Sequence, residues 1–339
     1  MGDKPSVLIA DKFDQIGIDG LEELGCSVHV DPDLGPDTIP AALKATGAKV
    51  LVVRSTKVPA SVFEDCGELG LVIRAGAGHD NIDSAAAAER GIPVCNCPGM
   101  NAVAVAELAF GHMLNLDRRI AQQTDSLKAE HWNKKEYSKA RGLKGSKLLV
   151  VGMGAIGMEL IKRAQAFEME ISAQSRSMHK ETARALGIKM IEYSREALKV
   201  ALGEADIVSI HVALCDDTHE LCGPGFFGAM KPGAMFINTS RGEIVSEKEL
   251  VKAVKEKGIR VGMDVYENQP SSKDTEWSTE VAKLDGVSLT HHVGASTDQA
   301  QEAVALEVIR IVQTVMEEGR TLHVVNKKSL KDEQLCPAL

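Results

Sequence analysis

Apolar and polar positions along this 339-residue chain form two successive series of short buried runs separated by helical stretches. In the first, Ser6–Ala10, Val50–Val53, Leu71–Ile73 and Pro93–Cys95 predict strands, with helices near Asp14–Leu24 and Ile39–Thr46. Apolar runs interleaved with helices are the rhythm of a parallel sheet covered on both faces. Pro98-Gly99 then breaks the chain. The helix that follows, from about Ala102 to Ile120, is apolar on most sides and must be buried in a core or against another subunit.

A second series begins after Gly145, with strands expected at Leu148–Val151, Met169–Ala173, Lys189–Ile191, Asp206–Ile210, Ala234–Asn238, Arg260–Asp264 and Val287–Thr290. Ser246 with Glu249 three residues on predicts a capped helix ending before Gly258. Ser296 with Gln299 opens a last helix that stops at Gly319, and the charged tail from Lys327 is expected to fray. The length exceeds what one core usually supports. Together these patterns predict an α/β protein of two doubly wound, Rossmann-like parallel-sheet domains.

The run Lys147-Leu-Leu-Val-Val-Gly-Met-Gly-Ala-Ile-Gly157 joins an apolar strand to Gly152-x-Gly154-x-x-Gly157 and a helix. In that context the first glycine allows a tight turn, the second lets backbone approach a pyrophosphate, and the third packs helix on strand. The helix N-terminus offers free N–H groups to phosphate. A dinucleotide is therefore expected at Gly152, Gly154, Ala155, Ile156 and Gly157. An NAD site wants an acidic residue about 20 positions on, for the ribose 2′-OH. Here the second strand ends in Gln174-Ser175-Arg176-Ser177, with His179 and Lys180 beyond. Ser175 and Arg176 would hold a 2′-phosphate through charge-assisted hydrogen bonds, which favours NADP(H) over NAD(H). The alternative is a solvated basic turn that tolerates either cofactor.

The net charge of −9 argues against a nucleic-acid partner but not against a small anionic substrate held by local cations. Seven scattered cysteines, none at zinc-ligand spacing, read as reduced thiols of a cytoplasmic protein, and no metal site is expected. No apolar run is long enough for a membrane span, and no basic-then-apolar leader precedes the first strand. Met1-Gly2-Asp3-Lys4-Pro5-Ser6 fits a loose myristoylation template and Cys336-Pro-Ala-Leu339 a prenylation box. Both templates are permissive and Pro337 is a poor aliphatic residue, so a soluble chain is expected.

Arg74-Ala-Gly-Ala-Gly-His-Asp-Asn81, Asn96-Cys-Pro-Gly99, the glycine loop, Asn238-Thr-Ser-Arg241-Gly242 and His292-Val-Gly-Ala-Ser-Thr297 occur in a telling order. Over about residues 5–325 the chain resembles the D-isomer-specific 2-hydroxyacid dehydrogenases. The resemblance implies a discontinuous substrate-binding domain, residues 1–98 and 295–339, flanking a dinucleotide domain at 99–294. It also implies a homodimer formed through the long helix, with a tetramer as the alternative. The catalytic Arg maps onto Arg241, whose fork would orient a keto acid and polarise its carbonyl. The acid/base His maps onto His292, beside His291, and would protonate the carbonyl oxygen as hydride arrives. His211, Thr239, Asp264 and Gly294 fall among the family's cofactor positions.

The third catalytic member departs from the family pattern. Asp264-Val-Tyr-Glu-Asn-Gln269-Pro270 puts Gln269 where Glu is usual, although the family's formate dehydrogenases also carry Gln. A neutral amide can orient the imidazole but cannot stabilise the imidazolium by charge. Reduction is therefore expected to fall away at a lower pH than in Glu-bearing relatives. Glu267 is the alternative partner.

Arg54, Lys57 and Arg74 would make a local cationic pocket. They resemble the phosphate-holding residues of the family members that act on 3-phosphoglycerate, and the amides of the Ala75–Gly78 turn, Ala77 and Gly78 among them, would receive the carboxylate. Lys134 would reach across to a partner subunit. The expected substrate is accordingly 3-phosphoglycerate, in serine biosynthesis, without the regulatory serine-binding domain of longer relatives. An NADPH-dependent glyoxylate or hydroxypyruvate reductase is the alternative that Ser175-Arg176 favours. The same fold also serves dinucleotide-sensing corepressors; retention of Arg241 and His292 favours an enzyme.

Overall fold

The computed structural model describes residues 5–270, 274–337 and 339. Met1–Lys4, most of the myristoylation-like pattern, and Ala338 of the C-terminal box lie outside the described residues. The chain divides into two compact units, Met1–Asn101 with Ser296–Leu339, and Ala102–Ala295.

The first unit is built on β1 (Ser6–Ile9), β2 (Ser27–Val30), β3 (Val50–Val53), β4 (Leu71–Arg74) and β5 (Val94–Asn96). All pair in parallel, in the order β2-β1-β3-β4-β5. β2 carries no apolar run because it is an edge strand with Ser27 and Val30 exposed, which hid it in the sequence. The helices Ala60–Glu64 and Ser84–Glu89 were equally hidden, being too short to show a period. Alternate strand residues feed two cores. Val7, Ile9, Val50, Val52, Leu71 and Ile73 meet Val308, Ile311, Val312 and Val315 of the helix Asp298–Glu318. Leu8, Leu51, Val53 and Val72 meet Ile39, Leu43 and Phe63 on the other face. That apolar stripe is why the last helix belongs to this unit.

Thr297, rather than Ser296, caps that helix by accepting the Ala300 N–H at 3.2 Å. The described part of the tail is folded back in short turns rather than extended. Asn326 is buried, accepting the Val94 N–H and donating to the Ser84 and Ile92 carbonyls, and helical turns follow at Lys327–Ser329 and Asp332–Leu335. One well-placed amide outweighs the charge pattern.

The second unit holds β6 (Lys147–Val151), β7 (Glu170–Gln174), β8 (Lys189–Met190), β9 (Ile207–Ile210), β10 (Met235–Asn238), β11 (Arg260–Met263) and β12 (Val287–Leu289). Their parallel order is β12-β11-β10-β9-β6-β7-β8, which places a topological switch point between β6 and β9. The long helix runs Ala102–Arg118 and stops at Arg119, whose φ of 54° turns the chain into a second helix, Ile120–Lys128. Ala106, Ala109, Phe110 and Met113 of the long helix pack on Leu160, Ile161 and Ala164 within the same unit. The Ser246–Glu249 capping box does not form. Ser246 makes no side-chain cap bond, and its N–H is committed to the Cys222 carbonyl. Among the described residues no helix is long and apolar enough to cross a membrane.

Candidate active site

β6 delivers the glycine loop to the carboxyl edge of its sheet, beside the switch point. Gly152 sits at φ +97°, and a Cβ there would lie 2.5 Å from the His211 carbonyl oxygen. A Cβ on Gly157 would overlap the Gly152 carbonyl. Gly154 is different: it caps the helix Ala155–Ala166 and faces open space. Two glycines therefore close the turn, and the third leaves room over first-turn amides, Ala155 and Ile156, that no helix carbonyl can satisfy. Two buried polar atoms stand on the same edge without a protein partner, Nδ1 of His211 after β9 and Oγ1 of Thr239 after β10. Ser209 Oγ holds the other His211 nitrogen at 2.8 Å, and burial pulls the ring down to about 4, so it is neutral. A cradle of this kind, with orphaned polar atoms aimed at no protein group, fits a dinucleotide.

Gln174, which no motif marked, ties the second strand to this loop. Its side-chain amide donates to the Glu192 and Ser194 carbonyls at 2.7 and 3.0 Å, and its main-chain carbonyl accepts the Gly152 N–H at 2.8 Å. Ser175 follows half-buried and Arg176 exposed.

The loop after β10 carries Arg241. Asn238 braces it, donating to the Arg241 carbonyl at 2.9 Å and accepting the Ser240 N–H at 3.0 Å. Gly242 then backs so closely on the Tyr266–Glu267 peptide that a Cβ would overlap it. Beyond β11, the buried Asp264 carboxylate accepts Thr290 Oγ1–H at 2.6 Å and the N–H groups of Val293 and Gly294 at 2.9 and 2.8 Å. These bonds hold the loop in which His292 takes a left-handed φ of 55°, a conformation that needs such support.

Gln269 Nε2 lies 2.6 Å from His292 Nδ1, and Gln269 Oε1 accepts the Tyr266 N–H at 3.2 Å. A backbone N–H can only donate, so the oxygen is fixed on that side and the amide donates to His292. The neutral ring accepts at Nδ1 and carries its hydrogen on Nε2. An imidazolium, with hydrogens on both nitrogens, requires the amide to turn over and release the Tyr266 bond.

In the first unit Val53 of β3 pairs with Arg74 of β4, so Arg54 and Arg74 leave the sheet side by side at its carboxyl edge. Asp11, just past β1, accepts the N–H groups of Arg54, Ser55 and Thr56 at 2.6, 3.1 and 3.1 Å and the Ser55 hydroxyl at 2.9 Å. Those amides are spent, leaving side chains to meet an anion. Arg54 donates to Gln301 at 3.0 Å, Lys57 is exposed, and Arg74 folds over Gly76. Ala77 and Gly78 follow in the same turn, half-buried, while Lys134 is exposed on the second unit. Asp11 and Gln301 were missed in the sequence. An acidic residue ending the first strand beside a switch point was the available signal for Asp11.

A glycine loop at the switch point of a seven-stranded doubly wound sheet, with Arg and His on the same carboxyl edge, defines a dinucleotide-binding protein of the Rossmann class. The D-isomer specific 2-hydroxyacid dehydrogenase NAD binding domain matches residues 110–294, and the chain belongs to that family. It is 38% identical over 331 residues to the D-3-phosphoglycerate dehydrogenase of Methanocaldococcus jannaschii, covering 97% of this chain and 61% of that one. It is 34% identical over 311 residues to the glyoxylate reductase of Thermococcus litoralis, covering 89% of this chain and 91% of that one. A glyoxylate reductase structure from Paecilomyes thermophila matches with a TM-score of 0.84 at 25% identity, over 97% of this chain and 100% of that one. The chain spans about half to three-fifths of the length of several phosphoglycerate dehydrogenases it matches.

Proposed function

We propose that the protein is an NAD(P)-dependent oxidoreductase that interconverts a D-2-hydroxy acid and its 2-keto acid, with 3-phosphoglycerate as the hydroxy acid. The observation that carries the reaction class is the Gln269–His292 hydrogen bond on the sheet edge that also bears Arg241 and the glycine loop. Gly152, Gly154, Ala155, Ile156 and Gly157 would hold the pyrophosphate, with His211, Thr239, Asp264 and Gly294 along the rest of the dinucleotide. Ser175 and Arg176 would take a 2′-phosphate, giving preference to NADP(H). When bound, the dinucleotide supplies or accepts the two electrons. Arg241 pairs with the substrate carboxylate and polarises the carbonyl. His292, oriented by Gln269, exchanges the proton at the carbonyl oxygen.

Arg54, Lys57 and Arg74 are the proposed phosphate cations, and the amides of Ala77 and Gly78 the carboxylate donors. Lys134 would be contributed by a second copy in a homodimer formed through the long helix. The 38% identity to a phosphoglycerate dehydrogenase supports this choice. Glyoxylate or hydroxypyruvate reduction is the second reading. It is favoured by the Asp11 carboxylate, which occupies the loop amides a phosphate would otherwise use. Arg54→Ala distinguishes them. It should raise KM for 3-phosphohydroxypyruvate about 10- to 100-fold while sparing glyoxylate, and an equal effect on both substrates would favour the reductase.

A further inference from the structure

Glu247 opens the helix Glu247–Lys257 and takes no part in the glycine loop or the acid–base pair. One oxygen of its carboxylate accepts the Glu267 N–H at 2.9 Å, and the other accepts the Thr279 hydroxyl at 2.9 Å. The neighbouring N–H, that of Tyr266, is the one that sets the Gln269 amide. The Tyr266–Glu267 peptide also lies directly against Gly242, next to Arg241. Trp277 holds the same loop: its indole N–H donates to the Asn268 carbonyl at 3.0 Å and its ring packs on Tyr266 at 5.0 Å. A single carboxylate thus ties the loop bearing Gln269 to the helix that follows Arg241.

We propose that Glu247 is a positioning residue for the acid–base pair, fixing the 266–269 loop and through it the Gln269–His292 hydrogen bond. This rests on the acid–base reading above. An acidic residue also favours a helix N-terminus whatever it touches, so the decisive variant is Glu247→Asp, which keeps the charge but is one methylene too short. Keto-acid reduction and the ¹⁵N resonances of His292 are to be measured for Glu247→Asp, Glu247→Gln, Gln269→Ala and Glu247→Asp/Gln269→Ala.

Glu247→Asp should lower kcat about 10- to 100-fold with KM little changed, as misplacement of a catalytic group does. It should also move the His292 Nδ1 resonance in the direction seen for Gln269→Ala and add no further loss in the double variant. Glu247→Gln keeps an oxygen for the Glu267 N–H and should restore most of kcat. Losses that multiply in the double variant, or a His292 resonance unmoved by Glu247→Asp, would overturn the proposal while leaving the acid–base reading intact. If Gln269→Ala changes neither kcat nor the resonance, the acid–base reading falls and the proposal with it.

Discussion

A side-chain amide whose oxygen is held by a backbone N–H leaves its neighbour little choice of tautomer. Tyr266 does this to Gln269, so His292 accepts at Nδ1, and a second proton on that ring comes at the expense of an existing hydrogen bond. A carboxylate at position 269 would accept from Nδ1–H instead and stabilise the charged ring. Gln269→Glu should therefore carry keto-acid reduction to higher pH, because the proton-donating form persists further up the scale. An unmoved limb in a pH–rate profile would show that Gln269 is not the partner. At this scale the glycine loop was legible from its spacing and Arg241, Gln269 and His292 came only from the family resemblance, while Asp11, Gln174, Glu247 and Asn326 were marked by neither. Each acts on backbone groups brought near by the fold, and a lone polar residue bonded to backbone leaves no periodic trace.

Elements were legible wherever burial is two-sided. The continuous runs of β1, β3 and β6 stood out, whereas the edge strand β2 and the two short helices of the first unit did not. Cap chemistry was read one residue away at the last helix, where Thr297 is the cap, and the box expected at Ser246 is absent because a tertiary hydrogen bond to Cys222 holds the Ser246 N–H. The glycine loop separates fold from ligand more cleanly. Gly157→Ala must push against the Gly152 carbonyl and should cost about 1–3 kcal/mol in denaturant unfolding. Gly154→Ala meets nothing and should leave stability within about 0.5 kcal/mol of wild type while weakening dinucleotide binding. Binding unchanged in Gly154→Ala would remove the pyrophosphate from this turn.

Across the whole molecule, chain order conceals that the last helix completes the first unit's core. The half-buried side chain of His211 has a global consequence as well. It stays neutral down to about 4, against an ordinary value of 6.5, so stability present above that value is lost as pH falls from 6.5 toward 4. Between about pH 7 and pH 5 the wild type should lose about 1–2 kcal/mol more than His211→Asn in urea unfolding, allowing for the ring's partial exposure. Equal losses would mean that the ring is protonated in the native state. Initial rates of reduction of 3-phosphohydroxypyruvate, hydroxypyruvate and glyoxylate, each with NADH and with NADPH, decide the proposed activity. Efficient turnover, fastest for 3-phosphohydroxypyruvate with NADPH, is the predicted result. Turnover confined to the two smaller acids would make Arg54, Lys57 and Arg74 incidental, and no turnover of any keto acid would rule out a 2-hydroxyacid dehydrogenase.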